Sequence, residues 1–136
     1  MHFNAEVMRR FFRLTYGSTV EAEFERVGRD GTYRGLQPRA VVFSERNKNF
    51  KIEFDLSDAV DYPDEPPLLL VLEISLRRFR FILRVPEDDG FPEMKKLNSS
   101  LEKVGRGHRR VITTLAEIEM RWPGCPLRTP RAASPG

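Results

Sequence analysis

The chain has 136 residues, enough for one domain with a hydrophobic core, and its single cysteine excludes an internal disulfide and a cysteine-rich zinc site. Its 23 basic and 20 acidic residues leave a net charge of +3, too small an excess to indicate a class of partner. No apolar run reaches the roughly 18 residues of a membrane-spanning helix, and the N-terminus does not resemble a signal peptide. We therefore expect a cytoplasmic or nuclear protein that does not enter a membrane.

An amphipathic helix is predicted at the N-terminus. Asn4 is a suitable N-cap, and apolar residues recur at helical spacing between Val7 and Leu14 while arginines occupy the other face. Gly17 can adopt the left-handed conformation that ends a helix. We expect this helix to cover one face of a sheet.

Three strands are predicted after this helix. The segment 19–27 alternates between apolar and acidic residues, as in a half-exposed antiparallel strand. Its inward residues are Val20, Ala22 and Phe24, and its outward residues are Glu21, Glu23 and Glu25. A hairpin turn at Asp30 and Gly31 leads to a second strand, in which Pro38 interrupts the pairing, and residues 50–56 alternate as a third strand. Because short turns can join all of them, an antiparallel meander is the simplest topology.

The most apolar run of the chain follows a proline-rich loop. The loop spans residues 61–67, and its prolines put the chain into extended geometry before Leu68. The run that ends at Val85 is too long for one strand, and the parity of its apolar positions changes at Arg77 and Arg78. A hairpin or a bulge would produce this change, and we favour a hairpin. We expect the first part of the run to be the central strand of the core.

Two helices are predicted in the C-terminal part. Pro92 suits the first turn of a helix with one apolar stripe, which Gly105 ends. The segment 109–122 fits a helical face and also an alternating strand, although its length favours a helix. Residues 123–136 are rich in proline and offer little to bury. We therefore expect one domain, residues 1–122, followed by a flexible tail.

No catalytic or metal-binding constellation is complete in the sequence. Asp64 and Glu73 could form the acidic pair of a metal-dependent nuclease, but Ser75 stands where that chemistry needs a lysine. Glu73 is better explained as an outward residue or as the partner of an arginine. The two histidines, His2 and His108, are too few for a metal cluster, and no Gly-x-Ser-x-Gly nucleophile motif occurs. We expect no enzyme activity, no metal and no cofactor.

Arginines form the most pronounced charge pattern. Three share the face opposite the apolar residues of the second hairpin strand, namely Arg78, Arg80 and Arg84, and three more lie just before or at the start of the segment 109–122, namely Arg106, Arg109 and Arg110. Together they could hold phosphates electrostatically, which would indicate nucleic-acid binding. Alternatively, the strand arginines pair with Glu73 or with the acidic face formed by Glu21, Glu23 and Glu25.

The sequence Tyr62-Pro63-Asp64-Glu65-Pro66-Pro67 lies between the predicted meander and the apolar run. In this position it resembles the proline turn of the RWD family, the non-catalytic relatives of ubiquitin-conjugating enzymes. The resemblance covers residues 5–122. It implies an α+β sandwich with the sheet packed on helices, and it favours a helix for residues 109–122.

The departures from the conjugating enzymes argue against catalysis. Those enzymes carry a His-Pro-Asn motif and a nucleophilic cysteine after the proline turn. This chain has neither in that region, because Cys125 lies much further along. The strand 79–85 is also an addition to the usual RWD pattern. The resemblance therefore implies an interaction domain without thioester chemistry.

These patterns predict an α+β fold with an N-terminal helix, an antiparallel meander of about four to five strands and two C-terminal helices. The favoured function is a non-enzymatic protein–protein interaction domain, acting as an adaptor or subunit of a larger complex; the alternative is a small nucleic-acid-binding protein. We expect the binding surface on the exposed sheet face or on the edge of strand 79–85, which could pair with a partner strand. Its candidate residues are Tyr62, Pro63, Pro66, Arg78, Arg80, Arg84, Arg106, Arg109 and Arg110.

Overall fold

The structure is a computed structural model, and it describes residues 2–3, 5–15, 17–42, 50–51, 65–105 and 109–132. In these ranges the strands are β1 (His2–Phe3), β2 (Thr19–Val27), β3 (Tyr33–Val42), β4 (Phe50–Lys51), β5 (Leu68–Ser75) and β6 (Arg78–Arg84). The helices are α1 (Ala5–Arg10), α2 (Phe91–Ser100) and α3 (Leu115–Arg121). The predicted α+β class is confirmed.

Four strands form one mixed sheet in the order β3-β2-β6-β5, while β1 and β4 pair separately. The pairs β2–β3 and β5–β6 are antiparallel hairpins, and the central pair β2–β6 is parallel, with Val27 opposite Ile82. The predicted antiparallel meander is therefore wrong. The two hairpins meet through β2 and β6, which carry fully buried residues such as Phe24 and Phe81. Residues on these strands can be fully buried because a central strand is covered on both faces and has a neighbouring strand at each edge.

The first hairpin has the predicted turn. Gly28 N donates to Thr32 O at 2.8 Å, and Gly31 has a φ of 85°, in the left-handed region that favours glycine. Pro38 does not interrupt β3, contrary to the prediction, but pairs opposite Glu23 within it. A proline is tolerated there because β3 is an edge strand, where a missing N–H on the outer side breaks no ladder.

The second hairpin is confirmed at the predicted parity change. Its turn residues are Leu76 and Arg77, and Arg77 adopts a left-handed φ of 65°. A register irregularity between Glu73 and Ser75 adds a bulge to the hairpin. The prediction that the apolar run beginning at Leu68 is the central strand is wrong, because β5 lies at the edge of the sheet and β6 lies inside it.

Each face of the sheet carries its own hydrophobic core. The first core consists of Val7, Met8, Phe12, Leu14, Ala22, Phe24, Val41, Phe79, Phe81 and Val104. The second core consists of Val27, Ile82, Met94, Leu97, Trp122, Cys125 and Leu127. Successive β5 residues pack alternately on the two cores, since Leu69 and Val71 contact the first and Leu68, Leu70 and Leu72 the second. The N-terminal helix covers one face, as predicted.

The segment 123–132 belongs to the packed domain. Cys125 and Leu127 are buried in the second core, and Leu127 is 0% exposed. Arg131 forms a bridge with Thr32 at the start of β3. The prediction of a flexible tail from Pro123 is therefore corrected for these residues, because two apolar side chains suffice to anchor a short segment that is otherwise polar.

The helices are shorter than their sequence patterns. The helix α1 ends at Arg10, and Arg13 has a left-handed φ of 58°, so the chain turns before Gly17. The helix α2 ends at Ser100, so Val104 reaches the first core from an irregular segment. In 109–122 only the second half is helical, where the Thr114 side chain accepts a hydrogen bond from Glu117 N at 3.2 Å.

Several predicted features lie outside the described residues. They are the N-cap Asn4, the third strand beyond Lys51, the proline turn at Tyr62 and Pro63, the carboxylate of Asp64, and Arg106 and His108.

Candidate interaction surface

Glu25, which the strand pattern places outward, is a buried carboxylate held by two arginines that are themselves partly exposed. The residue is 5% exposed, and Arg78 Nη2 lies 3.1 Å from its Oε1. Arg80 Nη2 lies 3.1 Å from Glu25 Oε2 and forms an ion pair with it, but the angle does not meet hydrogen-bond geometry. Burial first, and then the adjacent Glu25 carboxylate, raise the pKa of Tyr33. The alternative that the strand arginines pair with the acidic face of β2 is thus confirmed for Arg78 and Arg80.

Arg80 also fastens the C-terminal segment to the sheet. Its Nη1 donates to Leu127 O at 2.6 Å and to Arg128 O at 3.0 Å. Arg128 in turn pairs with Glu119 of α3 at 2.7 Å. The guanidinium that was a candidate for phosphate binding therefore has protein partners on two sides.

Arg84 is buried at the other end of β6. It is 2% exposed, and its Nη2 and Nη1 donate to Arg29 O at 2.7 Å and to Asp89 O at 3.0 Å. Its guanidinium carbon lies 5.1 Å from the ring centroid of Trp122, whose Nε1 donates to Asp89 Oδ2 at 2.9 Å. Burial lowers the pKa of Arg84. This arginine joins loops to the second core and is closed to an external phosphate.

The remaining candidate residues do not gather at one place. Arg109 caps the end of α2, where its Nη2 donates to Ser99 O at 3.1 Å. Burial lowers the pKa of Arg110, a partly buried residue whose backbone carbonyl accepts from Val104 N. Pro66 is exposed. No continuous arginine stripe is therefore present in the described ranges.

The outer side of β5 is one of the two edges of the described four-stranded sheet, and no described strand pairs with it. Glu23 N donates to Arg77 O, so the odd-numbered residues of β6 direct their backbone groups towards β2 and the even-numbered ones towards β5. Leu70 of β5 lies opposite Ile82, and it therefore bonds inward to β6. The N–H and C=O groups of Leu69 and Val71 point outward, where no described strand lies.

The side chains along this edge are apolar on both faces. Every residue from Leu68 to Leu72 is only partly buried, although it packs against one of the two cores. Beyond them Ile74 is 39% exposed and Leu76 at the hairpin turn is 72% exposed. The nearby charge of Glu73 is paired with Arg13, at 3.0 Å. This combination of open backbone and half-covered leucines is typical of a strand that receives another strand.

The described residues offer little for catalysis or metal binding. No three His, Cys, Asp or Glu side chains in these ranges gather as ligands for a metal ion. Burial raises the pKa of the Cys125 thiol, which opposes a nucleophilic role. A groove of about 460 Å³ beside the second hairpin turn is lined by residues of both charges, including Glu21, Glu23 and Arg77, and indicates no ligand class.

In the parts of the chain that the structure describes, no helix has the length and apolar character needed to cross a bilayer. Comparisons with family models, with curated proteins and with solved structures gave no match.

Of the two predicted binding surfaces, the exposed sheet face and the edge of strand 79–85, the second is not an edge of the sheet. The predicted pairing edge at residues 79–85 is covered on both sides, by β2 and β5. The signal that marks β5 instead is its approach through a proline loop, since Pro67 lacks an N–H and is tolerated next to an edge strand.

Proposed function

We propose that the chain is a non-enzymatic protein-interaction domain, a subunit or adaptor of a cytoplasmic or nuclear complex, that receives an extended apolar segment along β5. The observation that carries the proposal is the outward-facing backbone of Leu69 and Val71 between half-covered leucines. Strand addition satisfies such groups and buries the flanking side chains at once. An RWD-like build is part of the proposal and rests on the proline sequence that ends at Pro67.

Nucleic-acid binding is less well supported. Arg78, Arg80 and Arg84 are engaged by Glu25, by backbone carbonyls and by Trp122, so a phosphate would have to displace these partners. Binding to mixed DNA at low salt that disappears at moderate salt would nevertheless favour this alternative.

The interaction can be tested in three steps. A photo-crosslinking amino acid is placed at Leu76 in cells that naturally contain the protein, and the captured protein is identified and purified. The same amino acid at Met120, which is 73% exposed on α3, is the control position. The dissociation constant of the purified partner is then measured with wild type, Val71→Thr and Val71→Pro.

We expect Val71→Pro to weaken binding at least about tenfold, because it removes one outward N–H donor. Val71→Thr has nearly the same shape and keeps the N–H but adds a hydroxyl to an apolar edge, so it should weaken binding less than Val71→Pro does. If Val71→Pro unfolds at a much lower temperature than wild type, Ile74→Asp, which changes an exposed side chain, serves as the second variant. If the crosslinker at Met120 captured the partner as efficiently as the crosslinker at Leu76, β5 would be excluded as the docking site. The same would follow if folded Val71→Pro and Ile74→Asp bound the partner with wild-type affinity.

A further inference from the structure

We propose that the segment received by β5 is β5 of a second copy of the chain, so that two copies pair antiparallel about a two-fold axis at Leu70. Because this names the partner of the same edge, it rests on the proposed function. From Leu68 to Leu72 the edge presents only leucine and valine side chains on either face. An occupant must therefore be an apolar strand without charges, and β5 itself meets this requirement.

The register follows from the direction of the backbone groups. With Leu70 opposite Leu70, Leu69 of each copy lies opposite Val71 of the other, and these residues exchange both of their outward hydrogen bonds. Leu68 then lies opposite Leu72, so the second core continues across the axis with leucine against leucine and the first core with Leu69 against Val71. The ladder ends at Pro67, which has no N–H to donate.

Charge does not oppose this pairing. Glu73 is the only charged residue in β5, and in this register it faces Pro67 of the other copy rather than a second glutamate. Its carboxylate is already paired with Arg13, at 3.0 Å. The two copies therefore bring no like charges into direct opposition along the strand.

The other edge of the sheet explains why association stops at two copies. The outer strand β3 contains Pro38 and also Gly35, whose φ of 112° departs from strand geometry. Proline and irregular backbone are common means of preventing edge-to-edge pairing. With one protected edge and one edge that no described strand covers, the chain can form a closed two-fold dimer and is less suited to an extended fibre.

Sedimentation velocity of the purified full chain from about 1 to about 100 µM tests the proposal, a range that brackets modest strand-pairing affinities. Wild type and Val71→Thr should form dimers. Val71→Pro should raise the dimer dissociation constant at least about a hundredfold, because each copy loses an outward donor. A wild-type chain that is monomeric at the highest concentration overturns the proposal, as does a dimer that tolerates Val71→Pro.

A disulfide tests the register independently. In a Cys125→Ala background, Leu70→Cys places two cysteines opposite each other with Cα atoms about 4.5 Å apart, within the range that a disulfide bridges. Leu72→Cys is the matched control, because its copies lie about four residues apart along the ladder. Rapid oxidation of Leu70→Cys alone supports the axis at Leu70. Equal or faster oxidation of Leu72→Cys overturns it.

The two proposals can fail separately. If the chain is monomeric but an identified partner binds wild type and not Val71→Pro, the dimer is excluded and strand addition at β5 stands. If a dimer forms through a different surface, the β5 dimer is excluded, and docking of another partner at β5 is decided by that partner's affinity for wild type and Val71→Pro.

Discussion

At Arg84 a guanidinium is held below the protein surface by carbonyl oxygens and by the ring of Trp122. Burial lowers its pKa, yet an arginine remains charged at neutral pH. The nearest carboxylate, Asp88, has an oxygen 4.0 Å from Arg84 Nε and pairs more closely with Arg29, at 2.9 Å. The charge is therefore stabilised by Asp88 and by the carbonyl dipoles of two loops, which it ties to β6.

Replacing Arg84 should destabilise the fold. We expect Arg84→Met to lower the free energy of unfolding by about 3 kcal/mol, because the carbonyls of Arg29 and Asp89 lose their donor. Arg84→Lys keeps the charge but not the forked geometry, so its unfolding free energy should lie between the two. Urea denaturation measures all three proteins. A Met variant as stable as wild type would show that these contacts contribute nothing.

Among the elements, the C-terminal segment is held by two apolar side chains, of which Leu127 is the larger. Leu127 is fully buried in the second core, whereas Arg128 beside it is exposed and pairs with Glu119. Leu127→Ala should lower the free energy of unfolding by about 3 kcal/mol through lost burial and a cavity. Arg128→Ala is the control and should lower it by less than about 1 kcal/mol, as for other exposed ion pairs. If urea denaturation showed that Leu127→Ala lowers the free energy of unfolding no more than Arg128→Ala does, the segment would be the flexible tail that its composition indicates.

Local patterns predict the hairpins of this chain well and their arrangement poorly. Asp30 and Gly31 specify their turn directly, and the parity change at Arg77 marks the second turn, because both signals depend on neighbouring residues alone. Whether β5 or β6 is central depends on which hairpin edge meets β2, and both strands are apolar enough for either place. The same limit applies to the candidate site, since the edge exists only once the strand order is fixed.

Burial of charged residues is the second feature that pattern alone does not give. Alternation places Glu25 on the face opposite Phe24, which is correct, but that face is covered by a segment from the far end of the chain. A residue-by-residue reading cannot anticipate this cover, because Leu127 and Arg80 are distant in sequence. The arginines predicted to meet a phosphate meet Glu25 and carbonyl oxygens for the same reason.

At the scale of the whole molecule, one sheet separates two cores. The first core is filled by α1 and the residues after it, and the second by α2, α3 and the C-terminal segment. Both cores depend on β2 and β6, which lie side by side in the centre. The two hairpins therefore form one domain through the ladder that joins them and through the first core, which contains residues of both.

The parallel pairing of β2 with β6 has a kinetic consequence. Each hairpin closes a short stretch of chain, whereas placing Val27 beside Ile82 closes the long loop between them and must precede the gain from either core. Ile82→Val should therefore slow refolding in stopped-flow experiments, while Val41→Ala in the first hairpin should mainly accelerate unfolding. If Ile82→Val changed only the unfolding rate, the central ladder would form after the barrier. If Ile82→Val slows refolding as expected, the barrier to folding is the meeting of two preformed hairpins. Each newly made chain then exposes apolar strand surface until its hairpins meet.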